Sequence, residues 1–106
     1  MAMDAQISTL QLKLNMIPTQ QILFNALARV MRRNAEETDR LAAQALTKRP
    51  RDAVEIVRTT AQFINVQSKG IKELLPPLKA FYASLSEEQR RSLDMEFSKL
   101  FDVEEP

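Results

Sequence analysis

Gly70 is the single glycine in a chain of 106 residues, and this scarcity constrains the fold more than any other feature of the sequence. Sheet-rich folds usually need glycine and asparagine in the tight turns between strands. A chain with almost no glycine is therefore more economically built from helices, and its length suits a single domain with a modest core. We predict one all-α domain that covers residues 1–106.

Apolar residues recur at spacings of three and four in several segments, a pattern that predicts four helices joined by short breaks. The first helix covers about residues 4–15, although part of its pattern alternates as a strand would. The second runs from Pro18 or Thr19 to Leu46, because a proline disfavours the helical conformation in the residue before it and is tolerated in a first turn. We therefore expect a short helix followed by a long one.

Another proline precedes the long apolar period of the C-terminal half. Pro50 or Arg51 is expected to open the third helix. Gly70 and the Pro76-Pro77 pair should bend or interrupt this helix, because each proline removes one internal hydrogen bond.

A polar stretch, residues 32–40, interrupts the apolar period of the second helix. Within it, Arg33 with Glu37 and Glu36 with Arg40 are spaced to pair across one helical turn. The stretch predicts a solvated helix face that projects past a compact core.

The fourth helix is predicted to begin with a capping box at Ser86. The serine hydroxyl can accept a hydrogen bond from the backbone N–H of Gln89, and the glutamine side chain can reach back to the Ser86 N–H. Glu87 and Glu88 place negative charge against the positive end of the helix dipole. Capping boxes start many unrelated helices, so this pattern alone predicts only a helix start.

The charge of the chain is nearly balanced but unevenly spread. A net charge of +1 argues against general nucleic-acid binding, which depends on neutralising phosphates. Residues 29–58 carry a net charge of +3, and residues 86–106 carry a net charge of −4. The two regions could complement each other within a monomer or across a dimer.

Several kinds of chemistry lack the residues that they need. The chain contains no histidine and no cysteine, which removes the commonest general base, the commonest zinc ligands and the thiol nucleophile. One glycine is too few for a glycine-rich phosphate loop, and the acidic residues are scattered among basic ones. We therefore expect no enzymatic activity, no metal site and no cofactor.

The sequence leaves the cellular compartment open. The absence of cysteine fits a reducing or an oxidising compartment, and no apolar run approaches the roughly 18 residues of a membrane span. The N-terminal segment Met1-Ala2-Met3-Asp4-Ala5-Gln6 has neither the basic nor the apolar part of an export signal. We expect either a cytoplasmic protein or a mature segment without its leader.

The stretch Leu85-Ser86-Glu87-Glu88-Gln89 is one substitution away from the pattern Leu-Thr-x-x-Gln. A degenerate first copy is Ile17-Pro18-Thr19-Gln20-Gln21, in which Ile17 and Gln21 fit the outer positions. Two copies at helix starts, separated by a long helical segment, are typical of one family. Over nearly its whole length the chain resembles the LTXXQ-motif proteins, the Spy/CpxP-like group of bacterial periplasmic stress proteins.

This resemblance implies an antiparallel dimer of bent, extended α-hairpins that forms a curved, cradle-shaped layer. In the family, the concave face holds unfolded or partly folded client proteins without ATP, or receives a sensor protein of an envelope stress system. The resemblance also implies a periplasmic location. Some relatives bind metal ions through histidines, which this chain lacks.

Basic and apolar residues of the second and third helices are the candidate client-binding residues. Basic groups would attract acidic client segments, and scattered apolar side chains could then hold them weakly. Solvation of the arginines and core packing of the apolar residues are the simpler interpretations of the same residues. The candidates are Arg29, Arg32, Arg33, Arg40, Arg51, Arg58, Phe24, Met31 and Phe63.

Two other functions remain open from the sequence. The chain could be a regulatory adaptor that docks one sensor protein of the envelope. It could also be a cytoplasmic structural protein whose long polar helices need no catalytic residues. Clients or a sensor are thus the expected partners, together with a second copy of the chain, and we expect no nucleic acid and no membrane span.

Overall fold

The computed structural model describes residues 2–47 and 52–101, and this part of the chain forms helices without any strand. Helix α1 spans Ala2–Leu14, α2 spans Pro18–Thr47, α3 spans Ala53–Ala83 and α4 spans Glu87–Leu100. The predicted all-α fold with four helices is confirmed.

The two long helices, α2 and α3, pack side by side as a hairpin. Helix α1 packs against α2, and α4 packs against α1. The molecule measures 52 × 31 × 22 Å and has a radius of gyration of 16.5 Å. A compact domain of this length would have a radius of gyration of about 13 Å, so the fold is extended.

The core lies where α1, the first half of α2, the end of α3 and α4 meet. Its largest fully buried side chains are Ile7, Leu10, Phe24, Leu27, Phe81 and Leu93. The Phe24 and Phe81 rings join the two long helices, with centroids 5.4 Å apart and planes inclined by 59°. In α1, Leu10 and Leu14 are buried whereas Leu12 is 83% exposed, so the leucines follow a helical period.

Helix α3 begins later than predicted and is not interrupted. Its N-cap is Asp52, whose carboxylate accepts a hydrogen bond from the Glu55 backbone N–H at 2.8 Å. Pro50 and Arg51, the expected start, lie outside the described residues.

The proline pair Pro76-Pro77 lies inside one continuous helix, so of the two expected effects, a bend or an interruption, the interruption does not occur. Leu74 and Phe81 are buried on either side of the pair. Core packing before and after the prolines therefore offsets the helix hydrogen bonds that they remove, since tertiary packing supplies most of the stability of a helix.

A close approach of α2 and α3 occurs at Gly70. The Asn34 side-chain amide donates a hydrogen bond to the Gly70 carbonyl oxygen at 2.7 Å. A Cβ atom at residue 70 would lie 3.0 Å from Asn34 Cγ and Oδ1. The single glycine of the chain thus gives the side chain of α2 room to reach the α3 backbone.

Candidate functional site

The start of α4 carries the predicted capping box. Ser86 Oγ accepts a hydrogen bond from the Gln89 backbone N–H at 3.2 Å, and Gln89 Oε1 accepts one from the Ser86 N–H at 2.9 Å. Glu87 and Glu88 occupy the first turn of the helix. The capping box at the second motif is therefore confirmed, with both of its hydrogen bonds present.

The start of α2 has half of the same arrangement. Ile17 accepts the first hydrogen bond of the helix, from the Gln21 backbone N–H at 3.0 Å, so it occupies the N-cap position before Pro18. Gln20 Oε1 accepts a hydrogen bond from the Ile17 N–H at 3.1 Å. The other half is absent because an isoleucine side chain has no oxygen.

This geometry shifts the first motif by one residue from its predicted alignment. The glutamine at the third helical position is Gln20, which is buried and only 6% exposed. Gln21 is half-buried and instead donates a hydrogen bond to Asn25 on the surface, at 2.7 Å. The structure therefore places Gln20, rather than Gln21, in the position that corresponds to Gln89.

Gln20 and Gln89 form a reciprocal pair of side-chain amides. Gln20 Nε2 donates to Gln89 Oε1 at 2.9 Å, and Gln89 Nε2 donates to Gln20 Oε1 at 3.0 Å. Each amide also donates to a backbone carbonyl oxygen: Gln20 to Ser84 at 2.8 Å and Gln89 to Leu14 at 3.0 Å.

These hydrogen bonds bring four helix ends together. Leu14 is the last residue of α1, and Ser84 is the C-cap of α3. The N-caps of α2 and α4 donate to the same two glutamines. Asn15, with a φ of 49°, turns the chain at the end of α1, and asparagine tolerates this left-handed conformation better than most residues. The two motifs are therefore a single structural unit, which we call the glutamine clamp.

The turn from α3 to α4 has a further brace at Arg90. Its guanidinium lies 5.1 Å from the centre of the Tyr82 ring, and its Nε donates to the Tyr82 carbonyl oxygen at 3.1 Å. The Tyr82 hydroxyl donates to Asp94 Oδ2 at 3.2 Å. Partial burial and, secondarily, this contact with Asp94 raise the pKa of the Tyr82 hydroxyl.

The candidate apolar residues differ in their access to solvent. Phe24 is 1% exposed and Met31 is 4% exposed, so both lie in the core. Phe63 on α3 is half-buried. For Phe24 and Met31 the simpler interpretation, core packing, is therefore the one that the structure supports.

Most of the candidate arginines on α2 form ion pairs. Arg32 pairs with Asp4 of α1 at 3.2 Å, and Arg33 pairs with Glu73 of α3 at 2.6 Å. The predicted pairing of Arg33 with Glu37 does not form, because Glu73 across the hairpin takes its place.

Glu37 pairs instead with Arg40, three residues further along α2, and the expected partner Glu36 is exposed. This contact with Arg40 lowers the pKa of the Glu37 carboxyl. Arg29 and Arg58 are exposed and form no ion pair with a described carboxylate. Arg51 lies outside the described residues.

Helix α3 leaves a row of apolar side chains exposed to solvent. Six large apolar side chains are exposed between residues 54 and 75. Ile56 lies beside the row, and the other five form it: Val54, Val57, Ile64, Ile71 and Leu75. Their exposed fractions range from 48% for Leu75 to 68% for Val57. Helix α3 therefore presents an exposed apolar surface in addition to the side chains that it buries.

A groove of about 840 Å³ lies between this region of α3, α2 and the ends of α1 and α4. Apolar side chains such as Leu74, Ile71 and Phe97 line it together with the charged residues Lys69 and Glu73. Ile71 thus belongs both to the groove and to the exposed row.

Two features of the site were missed from the sequence. The role of Gln20 could have been predicted from Pro18. A proline at the first helical position makes Ile17 the N-cap and residue 20 the third helical residue. The exposed row was signalled by spacings of three and four that repeat every seven residues from Val54 to Leu75.

In the part of the chain that the structure describes, no helix is long and apolar enough to cross a membrane. The same residues contain no group of three or more His, Cys, Asp or Glu side chains that could hold a metal ion.

No curated protein and no solved structure matches the chain significantly. The LTXXQ motif family protein profile matches residues 2–96, a range that contains both glutamines of the clamp. The chain therefore belongs to the LTXXQ motif family, the Spy/CpxP-like family.

Proposed function

We propose that this chain holds unfolded or partly folded proteins on its exposed helical surface, without ATP, in the bacterial envelope. The observation that carries the proposal is the exposed apolar row on α3, from Val54 to Leu75. Covering such a row with apolar parts of another protein removes it from water and lowers the free energy. Membership of the Spy/CpxP-like family supports both the activity and the location.

Exposed basic residues would assist the capture of clients. Arg29 and Arg58 form no ion pair with a described carboxylate, so their charge is available to acidic client segments. Arg32, Arg33 and Arg40 are partly neutralised by their acidic partners and contribute less. Long-range attraction of this kind raises the rate of encounter more than the final affinity. The proposed activity is binding alone and needs no catalytic residue.

The proposal is tested by aggregation of denatured clients. Several unrelated proteins are diluted from denaturant with substoichiometric to equimolar amounts of the chain, and light scattering is followed. We expect suppression for more than one client, and weaker suppression by the variant Ile64→Ser, which loses an exposed apolar side chain of α3.

Ile22→Ser is the matched control for this assay, because Ile22 is 70% exposed but belongs to α2. Its suppression should equal that of the wild type. If the wild type suppresses the aggregation of no client, the holding function is wrong.

A homodimer is a second part of the proposal. Exposed apolar side chains outside α3, such as Leu12 on α1 and Met95 on α4, offer surface for self-association. Sedimentation at micromolar concentration should give about twice the chain mass of 12.1 kDa. A monomer throughout this range would leave the dimeric cradle without support.

The regular spacing of the α3 row favours one alternative, a regulatory adaptor that docks a single sensor protein. An adaptor would bind one envelope protein saturably and at a fixed stoichiometry, whereas a holding protein would bind many unrelated clients.

Fractionation of cells that carry the complete gene tests the location of the protein. Recovery after osmotic shock supports the envelope, and retention with the cytoplasm favours a structural protein there.

A further inference from the structure

The exposed row on α3 follows a heptad repeat. Val54, Val57, Ile64, Ile71 and Leu75 are joined by Ala61 and Ser68, so that the spacings alternate between three and four throughout. Ala61 and Ser68 are exposed as well. A repeat of 3.5 residues is the pattern by which one helix packs along another.

The repeat is long enough for a stable helix–helix contact. Apart from Ile71, which also lines the groove, it lies away from the hairpin contacts. From residue 54 to residue 75 it extends about 32 Å along the helix. The contacts of α3 with α2 use other residues, including Gly70, Glu73 and the buried Leu74. The row is therefore a second packing face of α3.

One flank of the row is basic. Arg58 and Lys72 each follow directly after an apolar residue of the repeat and lie on the same side of it, two heptads apart. Neither forms an ion pair with a described carboxylate, and both are exposed. The neutral Thr60 and Gln67 hold the equivalent positions on the opposite flank. A partner helix that covers the row would bring its own flanking side chains against these charges.

A second copy of α3 fits this face poorly. If two copies packed antiparallel about Ile64, Arg58 of one copy would lie opposite Lys72 of the other, and the same contact would occur twice. Like charges at such positions oppose pairing. In a parallel arrangement Arg58 would face Ala53 and Lys72 would face Gln67, and neither basic residue would gain a charged partner.

We propose that the α3 face from Val54 to Leu75 binds an amphipathic helix whose apolar seam is flanked by acidic side chains. The partner's apolar residues would pack against the heptad row, and its carboxylates would pair with Arg58 and Lys72. Ala61 and Ser68, which are small, leave room for larger side chains of the partner. The inference rests on the proposed function, because it names the class of client segment that this surface selects.

The test uses two synthetic peptides with the same leucine heptads and different flanks. One peptide has glutamate at the flanking positions, and the other has lysine. Fluorescence anisotropy of each labelled peptide, titrated with the full chain at low salt, should show about tenfold tighter binding of the glutamate peptide. This difference should shrink as salt is added. Equal affinities of the two peptides at low salt would overturn the inference.

Three variants locate the binding face. Ile64→Glu should weaken the glutamate peptide at least tenfold, and the pair Arg58→Glu with Lys72→Glu should reverse the preference toward the lysine peptide. Ile22→Glu, at a site on α2 that is 70% exposed against 56% for Ile64, should bind as the wild type does. Urea unfolding of each variant confirms that it is folded. If Ile22→Glu and Ile64→Glu weaken binding equally, or the charge reversal changes nothing, the assignment of this face is wrong.

Sedimentation and client aggregation separate the remaining outcomes. A wild-type dimer that Ile64→Glu converts to monomers would show that a second copy covers the row, which overturns the inference. If the wild type and Ile64→Glu hold clients equally well, the proposed holding function is supported, but the inference that the α3 face binds the clients is wrong. Charge-selective peptide binding without any holding of clients would support the face and refute the holding function.

Discussion

Removal of the Gln20 side chain is the sharpest test of the glutamine clamp. The Gln20 amide takes part in four hydrogen bonds, with the Ile17 N–H, the Ser84 carbonyl oxygen and both ends of the Gln89 amide. A typical hydrogen bond contributes about 0.5–1.5 kcal/mol to stability. Gln89 keeps its contacts with Ser86 and Leu14 after the change, so part of the network survives.

The expected loss for Gln20→Ala is therefore about 2–4 kcal/mol in the free energy of unfolding, measured by urea denaturation. Gln21→Ala is the matched control: the residue is adjacent and of the same type, but its side chain bonds only to Asn25 on the surface. Its cost should stay within about 0.5 kcal/mol. Equal losses for the two variants would refute both the shifted motif and the role of the buried amide.

A double-mutant cycle tests whether the two motifs act as one unit. Gln20 and Gln89 share two of their hydrogen bonds, so Gln20→Ala and Gln89→Ala should remove overlapping contacts. The double variant should then be more stable than the sum of the single losses predicts, by about 1–2 kcal/mol. Additive losses would mean that each glutamine only caps its own helix.

Three further predictions concern single contacts. Ser86→Ala should cost about 0.5–2 kcal/mol, because it removes the N-cap hydroxyl, and an unchanged urea midpoint would count against the capping box. The Lys13 ammonium lies 2.5 Å from the Glu96 carboxylate and lowers the pKa of that carboxyl. The ion pair therefore stabilises the fold at pH values above the unfolded pKa of about 4.5, and this stabilisation is lost as the pH falls through the lower pKa of the folded state. Glu96→Gln should accordingly reduce the acid sensitivity of thermal unfolding in this range. Gly70→Ala should destabilise the wild type by displacing Asn34, but should stabilise an Asn34→Ala background by up to about 1 kcal/mol, and the same sign in both would contradict the close approach.

Local features of the fold were predictable because neighbouring residues determine them. The capping box at Ser86 needs only Gln89, three residues away, and the sequence identified it correctly. The scarcity of glycine predicted an all-α chain for an equally general reason, since the turns of a sheet would need it.

Features that depend on distant residues were not predictable in the same way. Gln20 and Gln21 are chemically identical, and what distinguishes them is the contact of Gln20 with residues 84 and 89. Arg33 had Glu37 at the helical spacing but pairs with Glu73, which the hairpin brings closer. A partner across a helix interface can replace a partner on the same helix at little cost, because each exposed pair contributes only a few tenths of a kcal/mol.

The lengths of the helices leave much of α3 uncovered. Helix α3 has 31 residues and is about 46 Å long, whereas α1 and α4 have 13 and 14 residues and are about 20 Å long. The short helices can cover only part of the hairpin, and α4 contacts α3 near its C-terminal end, at Tyr82. Leu74 and Phe81 lie on the face of α3 that packs into the core, whereas Val57 and Ile64 lie on its second face and stay exposed. The apolar residues of α3 thus supply both a share of the core and an open apolar face, and that open face is the reason to infer a binding function.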